Sequence, residues 1–80
     1  MVEKLVKVGI TDGDRTVAKI VQLASNYKSK IMLVKNDMAA NARSIMGVMA
    51  IGVYEGENFN ITAEGTDEES AAEAFYEYLK

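Results

Sequence analysis

Two short segments of the chain carry the side chains with chemical reach. In the first, Thr11-Asp12-Gly13-Asp14-Arg15, two carboxylates flank a glycine and a guanidinium follows. A carboxylate can act as a nucleophile and take up a phosphoryl group as an acyl phosphate, which would put the reacting atom on Asp12 or Asp14. That chemistry draws on Mg²⁺ held by further acids, and no second acid cluster is evident. Asp is also a favoured N-cap and turn former, and this reading is preferred: Asp12 or Asp14 caps a helix whose dipole its charge complements. In the second segment, Arg43-Ser44, a hydroxyl follows a guanidinium. Ser is a favoured N-cap, and a phosphate on it would sit at the positive end of a helix, where added negative charge is tolerated. Arg43 is placed to help hold that charge. Arg15 by itself reads equally as a solvated surface residue or as a docking cation.

The chain has no histidine and no cysteine. An imidazole relay and a zinc site built from those ligands are therefore both excluded, and the lack of thiols fits a reducing compartment. No cofactor is implied. Net charge is −3, unevenly placed: residues 1–43 hold eight Lys/Arg against four acids, whereas residues 44–80 hold one Lys against eight. A sequence pI of about 4.8 argues against direct nucleic-acid binding, which calls for a dense basic patch. No run approaches the roughly 18 apolar residues that a membrane span requires. Met1-Val2-Glu3-Lys4 carries an acid and leads into no long apolar segment, so it is not a secretory signal. The expectation is a soluble, cytoplasmic protein folded as one domain over residues 1–80.

The elements that must position these residues can be read from periodicity. Val2, Leu5, Val6 and Val8 form an imperfect strand alternation that ends at Gly9. Val17, Ile20, Val21, Ala24 and Tyr27 fall at helical spacing, predicting a helix of about four turns. Ile31–Val34 suits a buried strand, and Asn36-Asp37 a tight turn into a second strand around Met38–Ala42. The run 45–52 is apolar on every side, and periodicity leaves strand and short helix open. Phe59–Glu64 alternates as a strand and Gly65 breaks it. Thr66-Asp67-Glu68-Glu69 reads as a capping box ahead of a last helix whose buried face is Ala71, Ala72, Phe75, Tyr78 and Leu79. The order strand–helix–strand–strand–short segment–strand–helix implies an α+β layer pair, with helices over one face of an antiparallel sheet.

Arg43-Ser44-Ile45-Met46-Gly47-Val48-Met49 closely resembles the K-S-I-M-G-V-M segment of HPr, the phosphocarrier family of the bacterial sugar phosphotransferase system. Ile20-Val21-Gln22-Leu23-Ala24-Ser25-Asn26-Tyr27 resembles the family's first helix, and the gap-free spacing between the two blocks fits as well. So do Asn36-Asp37, against the family's N-G turn, and the Gly65…Asp67-Glu68 lead into the last helix. The resemblance implies a βαββαβα open-faced sandwich with a four-stranded antiparallel sheet. At the family's G-I-H-A-R-P-A motif this chain reads Thr11-Asp12-Gly13-Asp14-Arg15-Thr16-Val17. Gly13 stands where the phosphocarrier histidine would be, Arg15 matches the arginine, and Thr16 replaces the proline.

The resemblance implies a lost carrier site beside a kept regulatory one. Gly13 offers no nucleophile, so no catalytic residue is expected. Ser44 matches the serine that HPr kinase/phosphorylase phosphorylates in Gram-positive relatives. Arg15, Arg43, Ile45, Met46 and Met49 match a face that docks partners, with Met46 and Met49 expected as the exposed pair and Ile45 next to them. The implied role is that of the histidine-less Crh branch, in which the serine-phosphorylated form binds the transcription regulator CcpA in carbon catabolite repression. Crh proteins usually place glutamine at the histidine position and keep A-R-P, from which Gly13, Asp14 and Thr16 depart. The alternative is an HPr-derived module that docks on phosphotransferase-system or other enzymes without being phosphorylated.

Overall fold

A computed structural model describes residues 1–9 and 11–80. Its elements are β1 (Val2–Lys7), α1 (Asp14–Ala24), β2 (Lys30–Lys35), β3 (Met38–Asn41), α2 (Ile45–Ile51), β4 (Asn58–Glu64) and α3 (Glu68–Leu79). The four strands form one antiparallel sheet in the order β1-β4-β2-β3. Alternation decides which face the helices cover. Val6, Ile31, Leu33, Ala40, Phe59, Ile61 and Ala63 are buried on one side of the sheet, and Ile20, Ala24, Val48, Ile51, Ala72, Phe75 and Leu79 of the three helices meet them there. Glu3, Leu5 and Lys7 fall on the open side, as the two-residue period requires.

The ambiguous apolar run is a helix. Ser44 starts it and Gly52, at φ 73°, stops it; at helical spacing Val48 and Ile51 reach the core, whereas Ile45, Met46 and Met49 cannot. Asn36 adopts the left-handed conformation, φ 57°, that turns β2 into β3.

Three local expectations are corrected. The first helix has 11 residues, about three turns rather than four, because Ser25 turns its hydroxyl back to the Gln22 carbonyl; Tyr27 packs half-buried beyond its end. β3 runs from Met38 to Asn41, one residue short of Ala42; the Ala42 amide still donates to the Ile31 carbonyl in the ladder's register, and the chain turns there, with the Ser44 amide on the Asn41 carbonyl. Thr66 and Glu69 do not form a capping box. The helix is capped by position at Asp67 without a side-chain cap bond, and Glu68, not Glu69, accepts from the Gly65 amide at 3.1 Å. The Asp67 carboxylate is drawn instead to three donors of the α1–β2 loop, the Lys28 amide, the Ser29 amide and the Ser29 hydroxyl. Three charge-assisted bonds outweigh one local cap.

Candidate functional site

The residues before α1 form a tight turn. The Arg15 amide donates to the Asp12 carbonyl at 3.0 Å, and Gly13 between them has φ 52° and ψ −124°, the type II′ geometry that favours glycine at its first central position. Neither Asp12 nor Asp14 caps the helix by its side chain, which corrects the capping expectation. The bond runs the other way: the buried Thr16 hydroxyl accepts from the Asp12 amide at 2.7 Å. The Asp12 carboxylate is left in solvent 3.7 Å from an equally exposed Arg15 guanidinium, an ion pair of little energetic weight. Asp14 is the first helical residue, where its charge still complements the dipole. A Cβ built at Gly13 would meet nothing within 4 Å, so there is open space beside the backbone there.

Ser44 is extended and caps α2, its hydroxyl accepting from the Gly47 amide at 3.0 Å. Gly47 must stay small here, because a Cβ would come within 3.2 Å of that oxygen. Arg43 is anchored at both ends. Its amide donates to the Asn41 side chain and its guanidinium to the Tyr27 carbonyl, which ties this loop to the loop that leaves α1.

Ile45, Met46 and Met49 project from α2 at 51%, 78% and 56% exposure. Two shallow grooves join them to the Gly13 turn. One of about 260 Å³ is lined by Asp14, Val17, Ala18, Ile45 and Met49. The other, of about 190 Å³, runs from Gly13 and Asp14 past Val17 and Met49 to Val53 and Tyr54. The fold thus brings Gly13, Asp14, Ile45 and Met49 onto one face. Met46 stands proud of it, and Arg43 lines neither groove.

Tyr54 was not legible as part of this face. It is exposed, lies against Gly52 so closely that a Cβ there would sit 2.6 Å from its ring, and has the Lys35 ammonium 5.9 Å from its centroid. The Lys35 ammonium is drawn under the C-terminus of α2, 2.9 Å from the Ile51 carbonyl, 3.3 Å from that of Gly52 and 3.0 Å from Glu57, where the helix dipole favours a cation. Only the two-residue alternation from Leu33 hinted that Lys35 falls on the core side of β2.

At the Gly13 turn the described residues bring together the exposed Asp12 and Asp14 carboxylates, the Thr11 hydroxyl and a Thr16 hydroxyl already bonded to the Asp12 amide. Among the described residues no three acids, histidines or cysteines converge as a metal site. No helix among the described residues is long and apolar enough to cross a membrane.

The same residues carry a family relationship. The family model described as "PTS HPr component phosphorylation site" matches residues 3–80. The HPr-like protein Crh of Halalkalibacterium halodurans is 37% identical over 82 aligned positions, covering 100% of this chain and 98% of that protein. The phosphocarrier protein HPr of Treponema pallidum is 48% identical over 60 positions, 75% of this chain and 68% of that one. The crystal structure of HPr from Bacillus anthracis superposes with a TM-score of 0.92 at 37% identity, over 99% of this chain and 96% of the other. An open-faced sandwich of this strand order, a Ser44-led second helix and full-length likeness agree: the chain belongs to the HPr family.

Proposed function

We propose that this protein is a non-catalytic regulatory member of the HPr family, cytoplasmic, unable to carry phosphate and controlled by phosphorylation at Ser44. The observation that carries this reading is the contrast between two ends of one face. At one end stands Gly13, the position that the gap-free resemblance sets against the phosphocarrier histidine, in a chain that has no histidine. At the other, Ser44 heads α2 beside the exposed Ile45, Met46 and Met49. A phosphate on the Ser44 oxygen would replace a neutral acceptor with a charged one at a helix N-terminus, adding charge to the face without unfolding the helix. The partners are then an HPr kinase/phosphorylase that writes the mark and a CcpA-type regulator that reads it, with Arg15, Arg43, Ile45, Met46 and Met49 as the docking residues. Two curated relatives matched over the full chain are named HPr-like protein Crh, which favours this role over that of a carrier.

A second reading, docking on phosphotransferase-system or other enzymes without phosphorylation, is favoured by Arg43. Its guanidinium is already committed to the Tyr27 carbonyl, so clamping a Ser44 phosphate requires breaking that bond. Incubation with ATP and an HPr kinase/phosphorylase, followed by intact-mass measurement, separates the two. The regulatory reading expects one added phosphate that disappears in Ser44→Ala, and an unchanged mass leaves only the docking module. Pull-down of a CcpA-type regulator by the phosphorylated form alone completes the test.

A further inference from the structure

The two grooves of the Gly13 face share Asp14, Val17 and Met49. Asp14 is the only charged side chain among the described residues that line them. Its carboxylate is exposed and makes no ion pair among the described residues. Arg15 offers it no partner, because its guanidinium faces Asp12 and lines neither groove. That pair cancels, and the full charge of Asp14 outweighs the roughly half charge at the N-terminus of α1. Beside Asp14 the floor is apolar, and the far end of the smaller groove is the ring of Tyr54. The Lys35 ammonium near that ring is matched by Glu57 at 3.0 Å, so the ring carries no uncompensated cation.

An occupant of this groove needs a hydrocarbon stem to cover Val17 and Met49 and a cationic head for Asp14. Lysine and arginine both combine the two. Arginine adds a planar head that forks onto a carboxylate and stacks on an aromatic ring. At about 260 and 190 Å³, both grooves fall below the roughly 300 Å³ at which small-molecule pockets begin, which favours a side chain over a free metabolite. An acid brought to the same place would meet Asp14 with no cation between them, a juxtaposition that rejects a partner. We infer that the Asp14 groove receives an arginine side chain of a partner protein. The stem lies along Val17 and Met49, and the guanidinium sits on the Asp14 carboxylate against Tyr54. The Gly13 turn thereby selects positive charge in a partner, where a phosphoryl carrier must accept a negative group. This inference rests on the reading that the Gly13–Met49 face docks a partner, and it names what that partner brings; it does not depend on phosphorylation of Ser44.

The test is a ¹H–¹⁵N shift titration of the full chain with the blocked tripeptide acetyl-Leu-Arg-Leu-amide. Two further peptides replace the arginine with citrulline, its neutral isostere, or with glutamate. The expected result is saturable shifts at Asp14, Val17, Met49 and Tyr54, with a dissociation constant in the millimolar range. The citrulline peptide should bind about fivefold more weakly, and the glutamate peptide should leave these amides unmoved. Asp14→Asn should weaken the arginine peptide about fivefold and Tyr54→Ala about threefold. Both side chains are exposed, and circular dichroism melts establish that each variant is folded; should one fail to fold, the other carries the comparison. Ser44→Ala should bind the peptide as the parent chain does. A chain that prefers the arginine peptide but takes no phosphate therefore sinks the regulatory reading alone. One that is phosphorylated but binds arginine and citrulline peptides equally sinks this inference alone. The inference is also overturned by the absence of saturable shifts up to about 20 mM, by shifts centred on the acids of α3, or by indifference to Asp14→Asn.

Discussion

Ser29 donates its hydroxyl to the Asp67 carboxylate at 2.5 Å across 38 positions of sequence. The bond closes the loop that leaves α1 onto the loop that leads into α3. The Ser29 hydroxyl first, and then the Lys28 amide, hold the Asp67 carboxyl below its ordinary value of 3.8. A depressed folded-state pKa means stability that is fully present above the unfolded value and is lost as pH falls through the folded one. Glu68 is lowered in the same direction by the Gly65 amide and the N-terminal amine. Urea unfolding midpoints should therefore hold steady above about pH 5 and fall below about pH 4. In Asp67→Asn the acid-side fall should be shallower and the plateau lower; an identical pH profile would show that these bonds contribute nothing.

Lys35 joins the end of β2 to the end of α2. Lys35→Met keeps the buried stem but abandons the Ile51 and Gly52 carbonyls and leaves the Glu57 carboxylate with the Tyr54 amide but no cation. With bonds to a charged donor lost, stability should drop by about 1.5–3 kcal/mol, read as a lower urea midpoint with an unchanged slope. Amide exchange at Gly52 should quicken as well, because the Tyr54 loop loses its anchor.

At Gly13 the backbone lies in a region that disfavours a Cβ, whereas the space around it is open. Gly13→Ala and Gly13→His should each cost about 1–2 kcal/mol, and nearly equally, since the strain belongs to the backbone and not to the size of the side chain. A much larger loss for histidine, measured by thermal or urea unfolding, would point to a clash instead.

On α2, stability and surface should separate cleanly. Ser44→Ala removes the cap and should cost about 1 kcal/mol, with Ser44→Asp recovering most of it because a carboxylate caps as well. Val48→Ala, at a site with no exposure, should cost about 2 kcal/mol. Met46→Glu, two residues away on the solvent side of the same helix, should change stability by less than about 0.5 kcal/mol while weakening partner capture.

The sequence by itself determined the elements other than the 45–52 run, their order and the side of the sheet that is buried. Each is a local matter of period: two for Phe59–Ala63, three to four for Ile20 and Ala24. The Arg43–Met49 block was enough to point to the family, and helical spacing within it was enough to turn Met46 and Met49 outwards once Ser44 and Gly52 bounded a helix. Tertiary structure decided what polar groups do. Thr66-Asp67-Glu68-Glu69 has the spacing of a capping box, but Asp67 meets Lys28 and Ser29 only after the chain has folded back, and three donors from that loop win its carboxylate. Asp12 looks like a cap until Thr16 is buried and claims the Asp12 amide. Lys35 finds two carbonyls only because α2 ends above it. A polar side chain goes where the strongest unsatisfied partner lies, and in these cases the competition was settled by residues distant in sequence or by burial that only the folded chain creates.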